Sequence, residues 1–277
     1  DAYLCGSDQV WHYRSFAFIW LIKRYTDAVM LNFGSNDCLR IAYAPSFGVT
    51  KIQEKDLSWL KPKLDRFTCL STRERSSVEM LESASQKPVE WVPDPTLLCP
   101  LSCLEAIADT HTIAPKEYFV YALGNVSVMK GRDIIDVLRT AGKSFNYTSS
   151  QFENDYEANC APTIEQWLGL VKSSGAVITN SFHGVVYSVL FHRPFWYYPL
   201  LAEVNGHDER ILSLLARLGI GKRSISSKQE LLAVLSHGQS EIDWKAVDAQ
   251  VASFRAVGQR YLEDALMHTT PAKERLR

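Results

Sequence analysis

The stretch AVITNSFHGVVYSVLFHRPFWYYP, residues 176–199, decides the fold. Residues 176–178 are apolar without interruption up to Thr179, the pattern of a strand covered on both faces. Asn180 and Ser181 break the run with a polar turn. Ser is a favoured first cap of a helix, and residues 182–193 carry apolar side chains at helical spacing. Pro194 ends that helix, and FWYYP resumes as a strand. A buried strand, a polar turn, a helix and a second buried strand form a βαβ unit, whose two strands must run parallel.

The same design recurs along the chain. AYLCGSD (2–8) and RIAYAPSFG (40–48) each read as a buried strand that runs into a polar turn. EKDLSWLKPKLDRF (54–67) has helical spacing. TCLSTRERSSVEML (68–81) is a strand, a turn and a helix capped by Ser76 or Ser77, and VEWVPDPTLLCP (89–100) is a strand cut by prolines. A second series follows: EYFVYALGN (117–125), the helices KGRDIIDVLRTAG and TIEQWLGLVKSSG, then the opening stretch. The helices HDERILSLLARLGI and SKQELLAVLSHG and one long amphipathic helix from residue 242 to 268 complete it. Strands that alternate with helices predict an α/β fold with doubly wound parallel sheets. Pro93, Pro95 and Pro100 place the join of the two series, so the domains expected are residues 1–105 and 106–277, with a cleft between them.

Composition narrows the function. The 277 residues include 30 basic and 31 acidic side chains, a formal charge of −1, so no basic excess invites nucleic acid. No apolar run is long enough to span a bilayer. The six cysteines lie mostly in apolar runs and lack metal-site spacing, which predicts buried thiols of a cytoplasmic protein and no metal.

In parallel sheets ligands bind beyond the carboxyl ends of the strands. The turns to search are therefore GSDQVW, APSFG, STRER, LGN and TNSFHG. His183 falls in the first turn of a helix, where the dipole and unpaired N–H groups favour an anion, and Gly184 permits close approach. Asn180 and Ser181 serve equally well as ordinary caps. Arg73 follows its strand directly and is expected to point into the cleft, where its fork of donors suits carboxylate or phosphate; Glu74 and Arg75 are expected in solvent. Arg210 at a helix start opposes the dipole, a hint of an anionic partner. Asn125 and Lys130, beside Gly124, flank a loop that matches no full phosphate-binding pattern. Asp8 suits a base or a hydroxyl contact, Ser7 and Gln9 a substrate hydrogen bond, and Trp11 a sugar platform or, more simply, core.

In order, GSDQVW, RIAYAPSFG, STRERSSVEML, VPDPTLL, VITNSFHGVVYSVLFHRPF, ERILSLLARLGI and the terminal IDW…FR…YLEDAL resemble the polysaccharide pyruvyl transferase family over nearly the whole chain. The resemblance implies two Rossmann-like domains of the GT-B glycosyltransferase type. Because family members carry a stretch before the GSDQ-like motif, the N-terminal domain is expected to be incomplete. The implied reaction moves the pyruvyl group of phosphoenolpyruvate onto two hydroxyls of a glycan or lipid-linked sugar, without metal or organic cofactor. Arg73 and the His183 turn are implied as donor contacts, with Arg210 a further candidate; for such a reaction His183 suits the acid or the stabilisation of the leaving phosphate, and Asp8 the base on the sugar hydroxyl. Ser181 stands where the better-known ketalases carry Arg. The implied setting is the bacterial cytoplasm, in capsule or exopolysaccharide synthesis; peripheral contact with the membrane and self-association are compatible with it. The alternatives are a glycosyltransferase with a nucleotide-sugar donor, using Glu203 or Glu209, and a non-catalytic glycan-binding relative.

Overall fold

The computed structural model describes residues 2–12, 21–48, 52, 54–124, 127–150, 159–200, 209–237 and 241–267. Two compact units divide the chain. One comprises Asp1–Leu98, Asn205–Leu214 and Ala249–Arg277; the other comprises Cys99–Val204 and Leu215–Asp248.

The first unit runs β1 (Ala2–Cys5), a 3-10 turn (Gln9–Trp11), α1 (Leu21–Val29), β2 (Leu39–Ala42), α2 (Glu54–Leu64), β3 (Leu70–Thr72), α3 (Ser77–Ser85) and β4 (Val89–Trp91). All pairings are parallel. β1 joins β2 with Cys5 opposite Ala42, and β3 joins β4 with Thr72 opposite Trp91. An isolated bridge from Ile41 to Cys69 links the two pairs, so the strands lie in chain order. Successive right-handed crossovers in one direction put their helices on one face. That face holds a core of Trp11, Phe47, Leu60, Leu64, Phe67 and Leu81, among others.

Because side chains alternate along a strand, Ile41 and Tyr43 point the other way from Ala42. They join Val92, Tyr261 and Ala265 in a second cluster. Tyr261 belongs to α10 (Trp244–Met267), whose residues from 249 on belong to this unit. Its hydroxyl donates to the carbonyl of Ala42 at 2.8 Å. Gly258 sets how near the helix comes: a Cβ there would stand 2.6 Å from the Tyr43 hydroxyl and 2.9 Å from Pro93.

The second unit contains α4 (Leu101–Ile107), β5 (Tyr118–Ala122), α5 (Gly131–Thr140), β6 (Phe145–Ser149), α6 (Ile164–Ser173), β7 (Ala176–Thr179), α7 (Phe182–Leu190), β8 (Phe195–Tyr197) and α9 (Lys228–His237). α8 (Glu209–Arg217) carries the chain across the boundary between units. The four strands form one parallel sheet in the order β6-β5-β7-β8. The chain therefore moves one way from β5 to β6, then returns past β5 to β7 and β8. Right-handed crossovers place α5 on one face and α6 and α7 on the other, and accordingly α5 packs with α9, and α6 with α7. Tyr118, Val120 and Ala122 face the core under α5, with Ile134, Ile135 and Leu138. Phe119 and Tyr121 face α6, where Trp167 meets both rings edge-on.

α1, α4 and β6 have no counterpart in the sequence expectations. β6 reads FNYTS, with a buried Tyr147 among half-buried neighbours, which gives neither an apolar run nor a strict alternation. α4 is short and opens behind Pro100 in a proline-rich connection. The cysteines also depart from expectation. Cys5 is buried, Cys38, Cys69, Cys99 and Cys160 are half-buried, and Cys103 on α4 is exposed.

Alanine normally favours a helix over glycine by about 1 kcal/mol. Gly258→Ala should reverse that sign and lower stability by about 1–3 kcal/mol, because the new methyl meets Tyr43 and Pro93. Urea unfolding measures it, and a stabilised variant would contradict the packing described.

Candidate functional site

The order of the second sheet reverses between β5 and β7, and it is at such a reversal, beyond the carboxyl ends, that parallel sheets bind ligands. The turns leaving these two strands are tied together by Asn180. Its Oδ1 accepts from the Leu123 N–H, and its Nδ2 donates to the Leu123 carbonyl, both at 2.7 Å. An asparagine engaged on both ends of its amide holds the two turns in register.

The next residues build the head of α7. Ser181 is the N-cap, and its Oγ accepts from the Gly184 N–H at 3.2 Å. Its own N–H donates to Thr179 Oγ1 at 3.0 Å, and that hydroxyl donates to the Tyr121 carbonyl at 2.8 Å. A Cβ on Gly184 would stand 2.7 Å from Thr179 Oγ1 and 2.8 Å from its methyl. Thr179 is pinned by its hydrogen bonds, so only glycine lets α7 start this close to the strand. His183 is the second residue of α7, half-buried, and its ring meets Phe182 edge-on at 5.5 Å. An anion at the end of α7 would meet the positive end of the helix dipole with an imidazole beside it.

In the first unit the four strand-ending turns converge on a buried ion pair. Arg73 and Asp94 are joined at 2.7 Å, with side chains 2% exposed each. The other outer nitrogen of Arg73 reaches Asp8 Oδ1 at 3.3 Å, and the Asp8 side chain is 65% exposed. Asp94 accepts three further hydrogen bonds: from Ser7 Oγ at 2.9 Å, and from the Thr96 N–H and hydroxyl at 3.1 and 2.8 Å. Ser7 Oγ also lies 2.9 Å from the Ala44 carbonyl. Asp94 thus caps the 3-10 turn Pro95–Leu97 and ties β4 to the turn after β1.

Asp8 itself has φ +71° and ψ −175°, a conformation nearly restricted to glycine. Ala44, after β2, is also left-handed, with φ +52°. Two adjacent turns therefore carry non-glycine residues in costly conformations, held by the network around them.

Glu74, expected in solvent, is 1% exposed. Its carboxyl group bonds the Ser46 hydroxyl and lies 3.4 Å from Thr72 Oγ1. The turn after β3 directs it inward, while Arg75 remains exposed. Burial pushes the Glu74 carboxyl group above its ordinary value, against the opposing pull of Arg73, the Ser46 hydrogen bond and Arg210. Arg210, near the start of α8, feels Arg73 as well as Glu74, Asp8 and Asp94. Burial, and then repulsion from Arg73, lowers its guanidinium to about 10.

The remaining candidates separate from these groups. Trp11 is fully buried: its ring packs on Phe47 and Phe67 and its Nε1–H donates to the Val29 carbonyl, so it fills core instead of offering a face to a sugar. Gln9 lies over Gly48 of the APSFG turn. Lys130 is an exposed cap of α5, its N–H donating to Asp133. Asn125 and Glu203 lie outside the described residues. Asp94 and Ser46 were not picked out by sequence reasoning; an aspartate between two prolines after a strand was the available signal for Asp94.

Asp8→Gly should be more stable than Asp8→Ala by about 1–3 kcal/mol, although glycine ordinarily costs more than alanine. Thermal unfolding of the two variants gives the sign, and a more stable alanine variant would remove the strain from Asp8. For Glu74 the raised carboxyl value means that the folded state holds its proton to higher pH than the unfolded state. Its contribution is full below the ordinary value of 4.5 and declines as pH rises above it. The melting temperature of the wild type should therefore fall relative to Glu74→Gln between pH 4.5 and 7; a rising difference would contradict this.

The sequence model of the polysaccharide pyruvyl transferase family matches residues 1–199. No curated protein matches the chain. Among solved structures, a putative UDP-N-acetylglucosamine 2-epimerase from Listeria monocytogenes is similar at 8% identity and a TM-score of 0.49, over 94% of this chain and 71% of that one. The glycotransferase of kitacinnamycin is similar at 12% identity and a TM-score of 0.45, over 89% and 73%. The family match spans the GSDQ turn, Arg73, Asp94 and the whole of β7, α7 and β8, and the chain belongs to the polysaccharide pyruvyl transferase family, a family of transferases.

Proposed function

We propose that this protein transfers the pyruvyl group of phosphoenolpyruvate to two hydroxyls of a sugar in a cell-surface polysaccharide or its precursor, leaving a cyclic ketal. The observation that carries this reading is the seat of His183, in the first turn of α7 beside the β5/β7 reversal. Phosphoenolpyruvate carries about three negative charges near neutral pH. The dipole end of α7 supplies a complementary field for its phosphate.

The chemistry proceeds in balanced steps. A proton adds to the methylene carbon, which becomes a methyl group and leaves the neighbouring carbon electrophilic. One sugar hydroxyl adds to that carbon and loses its proton. The bond to the phosphate oxygen then breaks, and phosphate departs with a proton. The second hydroxyl adds to the same carbon and closes the ring as it loses its own proton. The two hydroxyl protons replace those taken up by the methylene carbon and the phosphate. In this reading His183 delivers a proton at the donor. The acceptor is a sugar with two hydroxyls close enough to share one carbon. No helix among the described residues is long and apolar enough to cross a membrane.

His183→Ala should lower the rate of phosphate release from phosphoenolpyruvate, with a sugar acceptor present, by about 10²-fold or more, with little change in melting temperature. A rate equal to wild type would remove His183 from the reaction. Thermal stabilisation by phosphoenolpyruvate is expected in the wild type. Stabilisation by a nucleotide sugar and none by phosphoenolpyruvate would replace pyruvyl transfer with glycosyl transfer.

A further inference from the structure

We propose that Tyr121, Trp167 and Tyr187 seat a sugar ring of the acceptor at the seam between the heads of α6 and α7; this rests on the reading of the α7 head as the donor site. All three side chains belong to the second unit. α6 and α7 pack together on one face of its sheet, and helices that follow parallel strands begin at the carboxyl ends of those strands, where ligands bind. Trp167, in the first turn of α6, stands edge-on to Tyr121 at 5.1 Å and to Tyr187 at 5.5 Å. Tyr121 is the next-to-last residue of β5 and lies opposite Thr179, against which Gly184 of α7 packs. Tyr187 follows His183 by four residues, so the two share one side of α7.

Exposure is graded along these rings. Phe119 stacks on Tyr121 at 6.2 Å from deeper in β5, and Phe191 stacks on Tyr187 at 6.5 Å from the far end of α7. The two phenylalanines are 0% and 6% exposed, whereas Tyr121, Trp167 and Tyr187 are half-buried. Rings without polar groups thus form a dry base, and rings with them form a partly open upper layer. Burial alone pushes the Tyr121 phenol above its ordinary value. Trp167 Nε1 is covered and has no hydrogen-bond partner among the described residues, so the indole N–H is not what Trp167 shows to solvent. Ile164, one turn before Trp167, is 75% exposed at the start of α6. Rings that combine an apolar face with a polar tip match a pyranose, which has a face of C–H groups and a rim of hydroxyls. An isoprenoid chain would leave the tyrosine hydroxyls without a partner. A sugar seated on Tyr187 and Trp167 extends along α7 toward His183, one turn away, so its hydroxyls approach the group that serves the donor.

The test uses the full chain with methyl β-galactopyranoside and methyl β-glucopyranoside as acceptor probes. Phosphate release from phosphoenolpyruvate is measured for Trp167→Leu, Tyr187→Leu and Tyr121→Phe. The last keeps its ring and loses only a hydroxyl, so it reports even if the other two fail to fold. KM for the glycoside should rise about tenfold in the two leucine variants and about threefold in Tyr121→Phe. KM for phosphoenolpyruvate should stay within about twofold of wild type. A glycoside KM unchanged in every folded variant, or a rise shared equally by phosphoenolpyruvate, would overturn the seat. Where the wild type releases no phosphate, saturation-transfer NMR with the same glycosides decides alone. Transfer from aromatic protons to the sugar C–H protons, weakened in every folded variant, supports the seat; no transfer to the wild type's probes, or transfer unweakened in the variants, overturns it. Failure of the proposed function is read separately, as a wild type that neither releases phosphate nor gains thermal stability with phosphoenolpyruvate.

Discussion

The arrangement of the first unit depends on one buried ion pair, Arg73 with Asp94, which ties the turns after β3 and β4 to those after β1 and β2. A buried pair gains little net stability over an apolar packing of the same volume, because both charges must leave water. Breaking it is costly, since either partner alone would be a buried charge. Such a pair therefore serves best as a constraint on geometry. Here it fixes four turns at one edge of a parallel sheet and leaves a strained Asp8 at their exposed side.

The second unit reaches the same end by different means. Asn180 holds the turns after β5 and β7 through the two polar ends of its amide, and Ser181 and Thr179 satisfy the head of α7. Gly184 then lets the helix lie against Thr179. No charge is buried in this network; its rigidity comes from hydrogen bonds with main-chain partners and from close packing. What it presents is a helix end with His183 in the first turn, a setting suited to an anion.

These two solutions differ in how plainly the sequence announces them. The β7–α7–β8 unit is legible because its signals are local: an apolar run, a Ser cap and a proline stop all fall within 24 residues of one another. The core role of Trp11 is likewise readable from its type. The inward turn of Glu74 is not, since an acidic residue between two arginines looks solvated until the pairing of distant strands brings Ser46 beside it. The Arg73–Asp94 pair spans 21 residues, and the contact of Tyr261 with Ala42 spans 219, so neither leaves a mark in local spacing. β6 escapes notice for a further reason: its burial comes from its place at the edge of a sheet, and its sequence carries mixed polarity.

A crystal structure of the wild type soaked with phosphoenolpyruvate tests the functional account most directly. The account predicts the phosphate at the first turn of α7, within hydrogen-bonding distance of main-chain N–H groups and beside the His183 ring. Phosphate seated on the Arg73 guanidinium, with the Asp94 pair opened to receive it, would contradict the proposed donor site.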